Sequence, residues 1–206
     1  MQLTQEQQNI VNHGHGHAKV IAVAGAGKTS TLTHFIRARL DQGQSPKRLM
    51  VIMYNKSAQL DFQRKLGQVI AGGPLPQIRT FHSLGLKIYQ RLIEAGHLPA
   101  FHGDLIGQQE LEFQTWRIMQ QCASRDVAQD ILNDRKKWLD PMMSFMEKVK
   151  AGLDPAAVVF KQSGLPKQCR FFVKAFEKVE EWRRQQKRIS YSDMLYDPCH
   201  FFSRRP

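Results

Sequence analysis

The segment at residues 18–31, AKVIAVAGAGKTST, constrains the fold more than any other part of this chain. In it an apolar run breaks into a glycine-rich turn that ends in the letters GKT, which predicts a buried strand over 19–23 and a helix over 29–40. Gly25 and Gly27 permit a left-handed backbone, so successive N–H groups can converge on phosphate at the positive end of the helix. The pattern predicts a nucleoside triphosphate site; the alternative is a glycine-rich turn with an incidental lysine.

Several side chains have a role available at such a site. Lys28 would neutralise phosphate charge, and the Thr29 hydroxyl would coordinate Mg²⁺. Ala22 stands where the usual G-x-x-x-x-G-K-[ST] pattern begins with glycine. Gln7 carries a carboxamide that complements the N6 and N7 edge of adenine, but spacing alone leaves open whether it reaches the nucleotide.

The charge of the chain indicates a polyanionic partner. The formal net charge is +12 over 206 residues, and the pI is near 9.9. Residues 1–103 carry 12 Lys and Arg against 4 Asp and Glu, a net +8 that lies in the same half as the glycine-rich loop.

The same composition argues against other classes of protein. Three cysteines without a C-x-x-C pair support neither a disulfide framework nor a zinc ribbon. No apolar stretch approaches the roughly 20 residues of a membrane span, and the N-terminus shows no signal segment. We therefore expect a cytoplasmic protein that does not bind membranes.

The order of the elements predicts an α/β fold. A helix through residue 12 opens with a Thr4 capping box, further strands are expected at 49–53 and 78–80, and helices at 56–66 and 81–95. In the helix at 56–66, Leu60, Leu66 and Phe62 are expected to face inward. This alternation favours a parallel sheet.

From about residue 97 the pattern turns helical. Helices are expected at 108–123, 127–139, 142–150 and 168–186, and residues 157–160 fit either a strand or a helix. We predict an α/β segment followed by a helical subdomain that begins near residue 97.

Two segments that follow predicted strands carry candidate nucleic-acid contacts. In the first, Tyr54 could stack on a base and Lys56 pair with a phosphate, whereas Asn55 could be only a helix cap. In the second, RTFHS at 79–83, hydroxyl, imidazole and helix N–H groups suit a phosphate contact, with a capped helix and a core Phe81 as an equal alternative. The candidate residues are Tyr54, Asn55, Lys56, Thr80, Phe81 and His82.

Two further tracts are better explained without a ligand. The alternating histidines of residues 13–17 have the look of a metal tract, but no carboxylate or cysteine is near in sequence, and a solvated loop is favoured. The basic run at 183–188 complements the dipole of the helix it ends, and a solvated helix end is favoured over a nucleic-acid contact.

Together these segments resemble the N-terminal region of superfamily 1 DNA helicases of the UvrD/Rep/PcrA type. LTQEQ at 3–7 resembles the Q motif, 22–29 resembles motif I with its usual alanine, 52–58 is similar to motif Ia, and TFHSL at 80–84 matches the segment after it. ISYSDML at 189–195 resembles the segment before motif II. The resemblance implies a partial RecA-like P-loop sheet with an inserted helical subdomain. It divides the chain into the first part of an ATP-binding α/β domain at 1–96, the helical insertion at 97–188, and a segment at 189–206 that returns to the first domain.

The family also implies ligands and site residues. Its members are ATP-dependent helicases that move 3′–5′ on single-stranded DNA and act in DNA repair and replication, so the expected partners are ATP with Mg²⁺ and single-stranded DNA. The residues that match its nucleotide site are Gln7, Ala22, Gly25, Ala26, Gly27, Lys28, Thr29 and Ser30, and among these Lys28 and Thr29 match catalytic positions. Two residues depart from the pattern, namely Met53 at the stacking phenylalanine of motif Ia and Ser30 where many members have arginine.

Hydrolysis needs a carboxylate pair after a strand, and no apolar run here ends in one; Glu180 and Glu181 lie inside a polar helix. We therefore expect a region truncated before motif II that binds ATP weakly and neither hydrolyses it at a useful rate nor unwinds DNA alone. The alternative is a non-catalytic nucleic-acid-binding module with a vestigial nucleotide pocket. A small P-loop kinase is disfavoured, because residues 97–188 show no acceptor site. The sequence leaves the oligomeric state open.

Overall fold

The computed structural model describes residues 3–70 and 72–204, which form two compact units at residues 1–81 and 82–206. We call them the N-terminal and the C-terminal unit and describe each by itself. The helices are α1 Gln5–Val11, α2 Lys28–Asp41, α3 Lys56–Ile70, α4 Phe81–Glu94, α5 Gln108–Cys122, α6 Arg125–Asn133, α7 Arg135–Ala151, α8 Ala156–Gln162, α9 Phe171–Gln185 and α10 Asp193–Ser203, and the strands are β1 Met50–Met53 and β2 Gln77–Thr80. None of these helices is both long enough and apolar enough to span a bilayer.

The N-terminal unit combines a two-stranded parallel sheet with helices, which is compatible with the predicted α/β class. Met50 pairs with Gln77, and the register continues to Met53 opposite Thr80. Helix α3 connects the two strands and is tied to β2 where the Gln59 side chain donates to the Ile78 carbonyl oxygen at 2.7 Å. The buried centre of this unit is small and consists of Ile36, Val51, Phe62 and Leu66.

Local signals in this unit were sufficient to place its helices. Thr4 and Gln7 form the predicted capping box at the start of α1. Asn55 accepts the Ala58 N–H at 2.8 Å and so begins α3. Phe62 and Leu66 are buried as predicted, but the prediction for Leu60 was wrong, because its side chain is half exposed.

The predicted strand at 19–23 is not formed. Residues 18–23 have no strand hydrogen bonds, and Ile21 and Val23 are among the most exposed apolar side chains of the chain, at 86% and 78%. A strand requires a hydrogen-bonded neighbour, and among the described residues β1 and β2 pair only with each other. The apolar run has strand composition without the partner that would make it a strand.

The C-terminal unit is helical and has a much larger core. Helices α5, α7 and α9 enclose Met119, Met142, Phe145, Phe172 and Val179, all of which are almost completely buried. Residues 157–160, which the sequence left open, lie in helix α8. The last two residues of the predicted return segment, 205–206, lie outside the described residues, and most of the remainder forms α10.

The predicted helices at 127–139 and 142–150 have the wrong boundaries. The break falls at Asp134, whose backbone is not helical and so ends α6. Its carboxylate accepts the Lys137 N–H at 3.1 Å and caps α7. Pro141, predicted to separate two helices, lies inside α7. Proline removes one helical hydrogen bond, and burial of Trp138 and Met142 on either side offsets that loss.

Helices α4 and α10 approach each other at backbone distance. A Cβ atom placed on Gly85 would lie 2.4 Å from the carbonyl oxygen of Met194 and 2.8 Å from a methyl carbon of Leu195. Real Cβ atoms do not come this close to backbone atoms, so the packing of these two helices requires glycine at position 85.

Candidate nucleotide and nucleic-acid site

The glycine-rich loop has the backbone geometry that an anion site requires. Gly25 and Gly27 adopt positive φ angles of 80° and 74°, and Gly27 directly precedes α2 without a side-chain cap. No capping side chain therefore accepts a hydrogen bond from the first N–H groups of α2. They lie at the positive end of the helix, where anions bind favourably.

Lys28 lies over this loop. Its Nζ donates to the carbonyl oxygens of Val23 at 2.7 Å and Ala22 at 3.1 Å. Both contacts are exposed, and a phosphate group would compete for the same ammonium group as a stronger, charged acceptor. Thr29 is exposed on the first turn of α2, so its hydroxyl is accessible to a metal ion bound beside a phosphate.

Gln7 connects α1 to the loop. Its Oε1 accepts the Thr4 N–H at 3.0 Å, and its Nε2 donates to the Ala26 carbonyl oxygen at 3.2 Å. A Cβ atom on Gly27 would come within 2.9 Å of this same Nε2. Position 27 therefore favours glycine because of its left-handed backbone angle, and a larger residue there would also displace the end of the Gln7 side chain.

A cavity of about 870 Å³ lies between α1, residues 18–22 and α2. Among the predicted nucleotide residues it brings together Gln7, Ala22, Ala26 and Lys28, whereas Gly25, Gly27, Thr29 and Ser30 are not on its wall. Phe35, which the sequence did not single out, also lines this cavity. The Arg39 guanidinium lies 4.8 Å from the centre of its ring. The cavity therefore adjoins the loop through Ala22, Ala26 and Lys28.

Three carboxylates outside the loop could in principle hold a metal ion. Glu180, Asp193 and Asp197 place oxygens within 4.8 Å of one another, the one such group found among the described residues. Two cations already lie among them. Lys150 Nζ is 2.7 Å from Glu180 and 2.6 Å from Asp193, and Arg183 contacts all three carboxylates at 2.5–3.3 Å.

We call these five side chains the buried ion network: Lys150, Glu180, Arg183, Asp193 and Asp197. Burial raises the pKa of Asp193, but the charges of Lys150 and Arg183 outweigh it and hold that pKa below its usual value. For Asp197 burial prevails, and its pKa is raised despite Arg183. Tyr89 donates to Asp197 at 3.2 Å, and its pKa is raised by burial and by that carboxylate. The network is a structural ion cluster that joins α7, α9 and α10.

In the basic run at 183–188, residues 184–187 are exposed, as expected for a solvated helix end, but the expectation was wrong for Arg183. Arg183 is buried, and it lies one helical turn from Glu180 on the same side of α9, where the two side chains pair. Arg188 donates to Glu110 at 2.6 Å and to the backbone carbonyls of Asp104 and Leu105. Both arginines therefore stabilise the fold of the C-terminal unit.

The first candidate nucleic-acid segment is exposed where β1 ends. Tyr54 is 87% exposed, and Lys56 is exposed with its ammonium 3.3 Å from the Gln59 amide oxygen. Asn55 forms the helix cap described above, which confirms its structural role. An accessible ring and an accessible cation two residues apart can contact a base and a phosphate.

The second segment shows three different environments. Thr80 is buried at the end of β2, and Phe81, the first residue of α4, is half exposed, which argues against the alternative in which it belongs to the core. His82 stacks on Tyr191 with ring centroids 3.8 Å apart and planes 18° from parallel. Burial lowers the pKa of His82, which favours the neutral imidazole.

The histidine tract remains a loop. His13 lies within 3.3 Å of the Gly16 carbonyl oxygen, and His15 and His17 are exposed. Across the described residues, no group of three ligand atoms forms at this tract. The favoured interpretation as a solvated loop agrees with this geometry.

Comparison with known proteins gives one family. The family model described as "UvrD/REP helicase N-terminal domain" matches residues 3–206. No curated protein matches the chain significantly. The match includes the glycine-rich loop, both candidate nucleic-acid segments and the whole helical part of the chain.

Proposed function

The chain belongs to the UvrD/REP helicase N-terminal domain family, and on that premise we propose that it is the ATP-binding, single-stranded-DNA-binding part of a 3′–5′ DNA helicase. The observation that carries this proposal is the loop at 22–29, in which two left-handed glycines precede an uncapped helix beside the cavity. The proposed direction of movement rests on the family alone.

The proposed nucleotide contacts follow from the chain's own residues. The N–H groups of the loop and of α2 bind the β- and γ-phosphates, and Lys28 exchanges its two carbonyl partners for phosphate oxygens. Thr29 holds Mg²⁺, which when bound neutralises phosphate charge. Gln7 contacts adenine through its side-chain carboxamide. Its oxygen can accept a second hydrogen bond beside that from Thr4, and its nitrogen can donate a second one beside that to Ala26, or one of these two bonds is exchanged for a bond to adenine.

We further propose that this chain alone binds ATP without hydrolysing it at a useful rate. Glu6 is the one carboxylate residue on the wall of the cavity, and it belongs to the first turn of α1. The acidic residues of the buried ion network are engaged by Lys150 and Arg183. A carboxylate pair that orients the attacking water is what hydrolysis requires.

The nucleotide proposal is tested by titrating a fluorescent ATP analogue with Mg²⁺ into the chain and into two variants. Lys28→Ala should weaken binding roughly tenfold or more, because it removes the loop's charged phosphate ligand. Lys47→Ala, an exposed lysine outside the cavity, is the matched control and should bind normally. Equal affinity in all three proteins would favour the vestigial-pocket alternative, and Lys28-dependent hydrolysis would contradict the proposal of binding alone.

The DNA proposal is supported by charge and exposure. Residues 1–81 carry ten Lys and Arg against three Asp and Glu, and Tyr54 and Lys56 are exposed within them. Binding of a fluorescent oligothymidine should weaken steeply between about 50 and 200 mM salt, because counterions are released from the phosphates. Tyr54→Ala should weaken binding at every salt concentration, whereas Lys56→Ala should also reduce the salt slope. Salt-independent binding, or none, would refute the proposal.

A further inference from the structure

An open groove lies between α5 and α9 on the surface of the C-terminal unit. Its volume is about 570 Å³, and most of its lining residues are polar. The α5 wall extends from Glu110 to Gln121, and the α9 wall from Lys178 to Gln185, with Gln186 beside it. The stretch of α5 between these two positions is about 16 Å long at the helical rise per residue, a length that about five residues of extended chain span.

The charged side chains of this groove are unevenly paired. Each of its two carboxylates accepts a hydrogen bond: Glu110 from Arg188 at 2.6 Å, and Glu181 from a glutamine amide on α9 at 3.3 Å. Its two cations, Arg117 and Lys178, form no ion pair or hydrogen bond through their side chains with any residue in the described part of the chain. The groove therefore offers positive charge that no acidic side chain contacts.

Arg117 also begins a row of stacked cations and rings that continues to the start of α7. Its guanidinium carbon lies 5.9 Å from the centre of the Phe113 ring, which is 6.1 Å from that of Trp116, and the Arg135 guanidinium carbon lies 5.4 Å from the Trp116 ring. Both arginines are exposed, and Phe113 is half exposed. A guanidinium held against a ring keeps its edge N–H groups available for bidentate contact with a carboxylate.

Side-chain amides supply a second kind of ligand in the groove. Gln114, Gln121 and Gln186 line it, and across residues 3–70 and 72–204 their side chains form no hydrogen bond. A carboxamide both donates and accepts, which is what the N–H and C=O groups of an extended peptide backbone require. The groove thus combines partners for a peptide main chain with cations for acidic side chains.

The arrangement of charge favours an acidic peptide over a nucleic-acid strand. A strand of nucleic acid carries one phosphate per roughly 3.4 Å, so it would also pass the carboxylates of Glu110 and Glu181, which repel phosphate. A peptide can place its carboxylates opposite Arg117, Arg135 and Lys178 alone. Phenylalanine, tryptophan and arginine are also residue types that are enriched where proteins contact each other.

We propose that this groove and the adjoining stacked row form a docking site for an extended acidic segment of a partner protein. The carboxylates of that segment pair with Arg117, Arg135 and Lys178. Its main chain bonds to the glutamine amides of the groove, and an apolar side chain contacts the exposed Phe113 ring. The site concerns a protein partner and depends neither on the nucleotide binding nor on the DNA binding proposed above.

The binding test titrates a defined set of peptides with the whole chain. Fluorescein-labelled peptides of about ten residues, long enough for the groove and the stacked row, alternate aspartate with serine and carry one phenylalanine at a different position in each peptide. A matched set has asparagine in place of aspartate. The best acidic peptide should bind saturably and roughly tenfold or more tightly than its asparagine counterpart, because the amides cannot pair with the arginines.

Charge reversal locates the site on the chain. Arg117→Glu and Lys178→Glu should each weaken binding of the best acidic peptide roughly tenfold or more, because an attraction becomes a repulsion. Lys161→Glu changes the charge by the same amount at an exposed position of α8 outside the groove, and this control should change the affinity less than about twofold. In amide NMR spectra of the unchanged chain, the side-chain signals of Gln114 and Gln121 should shift when the peptide is added. Tryptophan fluorescence of each free variant verifies that it is folded.

The alternative outcomes overturn the docking site. Equal weakening in Arg117→Glu and Lys161→Glu would reduce the binding to general charge attraction. Equal affinity for the aspartate and asparagine sets, or no saturable binding by any peptide, would exclude recognition of an acidic segment. If oligothymidine displaces the peptide and Arg117→Glu weakens both ligands equally, the groove binds nucleic acid and the proposal of a protein partner fails.

Discussion

The two units of this chain differ in the number and the kind of side chains that they bury. The N-terminal unit carries the glycine-rich loop on a core of four almost fully buried apolar side chains, whereas the largest core of the C-terminal unit has 16. The C-terminal unit also contains the buried ion network, whose five charged side chains are all buried or nearly buried. The candidate nucleotide site thus lies on the sparsely packed unit, and most of the buried apolar side chains lie in the other.

The difference is visible at the surface as well. Val20, Ile21 and Val23 are exposed beside the loop, and Met50 and Ile52 are exposed on β1. Regions with few buried contacts open locally at low free energy, and ligand-binding loops usually belong to them. We therefore expect the N-terminal unit to exchange its amide hydrogens faster than the C-terminal unit, and the following predictions test that contrast.

The largest effect is expected in the buried ion network. Asp193→Asn removes one carboxylate between Lys150 and Arg183 and should reduce the free energy of unfolding by about 3 kcal/mol or more, because two buried cations lose a partner. All three tryptophans lie in residues 82–206, so tryptophan fluorescence in urea reports this unit. Asp140→Asn, which neutralises an exposed carboxylate on α7 of the same unit, is the control and should change stability very little. Equal effects of the two substitutions would show that the network is not stabilising.

A pair of glycine substitutions should act in opposite directions. Gly85→Ala places a methyl group against the Met194 carbonyl and should destabilise the C-terminal unit by about 1–3 kcal/mol. Gly67→Ala lies inside α3 with nothing within 4 Å of the new Cβ, and should stabilise its helix by about 0.5–1 kcal/mol. Urea unfolding measures the first, and hydrogen exchange of α3 peptides the second. A neutral Gly85→Ala would contradict the close approach of α4 and α10.

Two helix caps compare the units at a smaller scale. Asn55→Ala removes the cap of α3 and Asp134→Ala the cap of α7, each at a cost of about 1 kcal/mol. Fraying should spread further in α3, because fewer buried contacts hold it. Hydrogen exchange resolves the first turns of both helices, and Asn55→Asp, which keeps an acceptor, should restore protection. Equal fraying in the two helices would contradict the proposed difference in local stability.

The smallest effect concerns pH. Burial lowers the pKa of His82 from its ordinary 6.5, so the unfolded chain binds more protons than the folded one as the pH falls through that value. The stability contributed by the neutral ring is present above about pH 6.5 and is lost below it. His82→Gln should flatten the decline of the unfolding free energy between about pH 7 and 5. Burial of His200 leaves a residual slope, and an unchanged slope in His82→Gln would contradict the prediction.

Much of the candidate site was predictable because its signals are local. The capping box of Thr4 and Gln7, the left-handed glycines and the cap at Asn55 each depend on residues within a few positions of one another. Tyr191 and Phe35 were not predicted as site residues. Tyr191 stacks on a residue 109 positions away, and no pattern in the sequence indicates that proximity. The same holds for Gly85 against Met194.

The local order of residues determined the anion-binding loop and the helix starts, because backbone angles and caps depend on near neighbours. The order of elements and motifs along the chain determined the parallel pairing of β1 with β2 and the family. Tertiary structure alone decided which charged and apolar residues are buried. It placed Arg183 among three carboxylates and left Ile21 exposed, although arginine is usually solvated and isoleucine usually buried. The physical reason is that burial depends on partners brought from elsewhere in the chain: Arg183 has them, and residues 18–23 find no strand among those the structure describes.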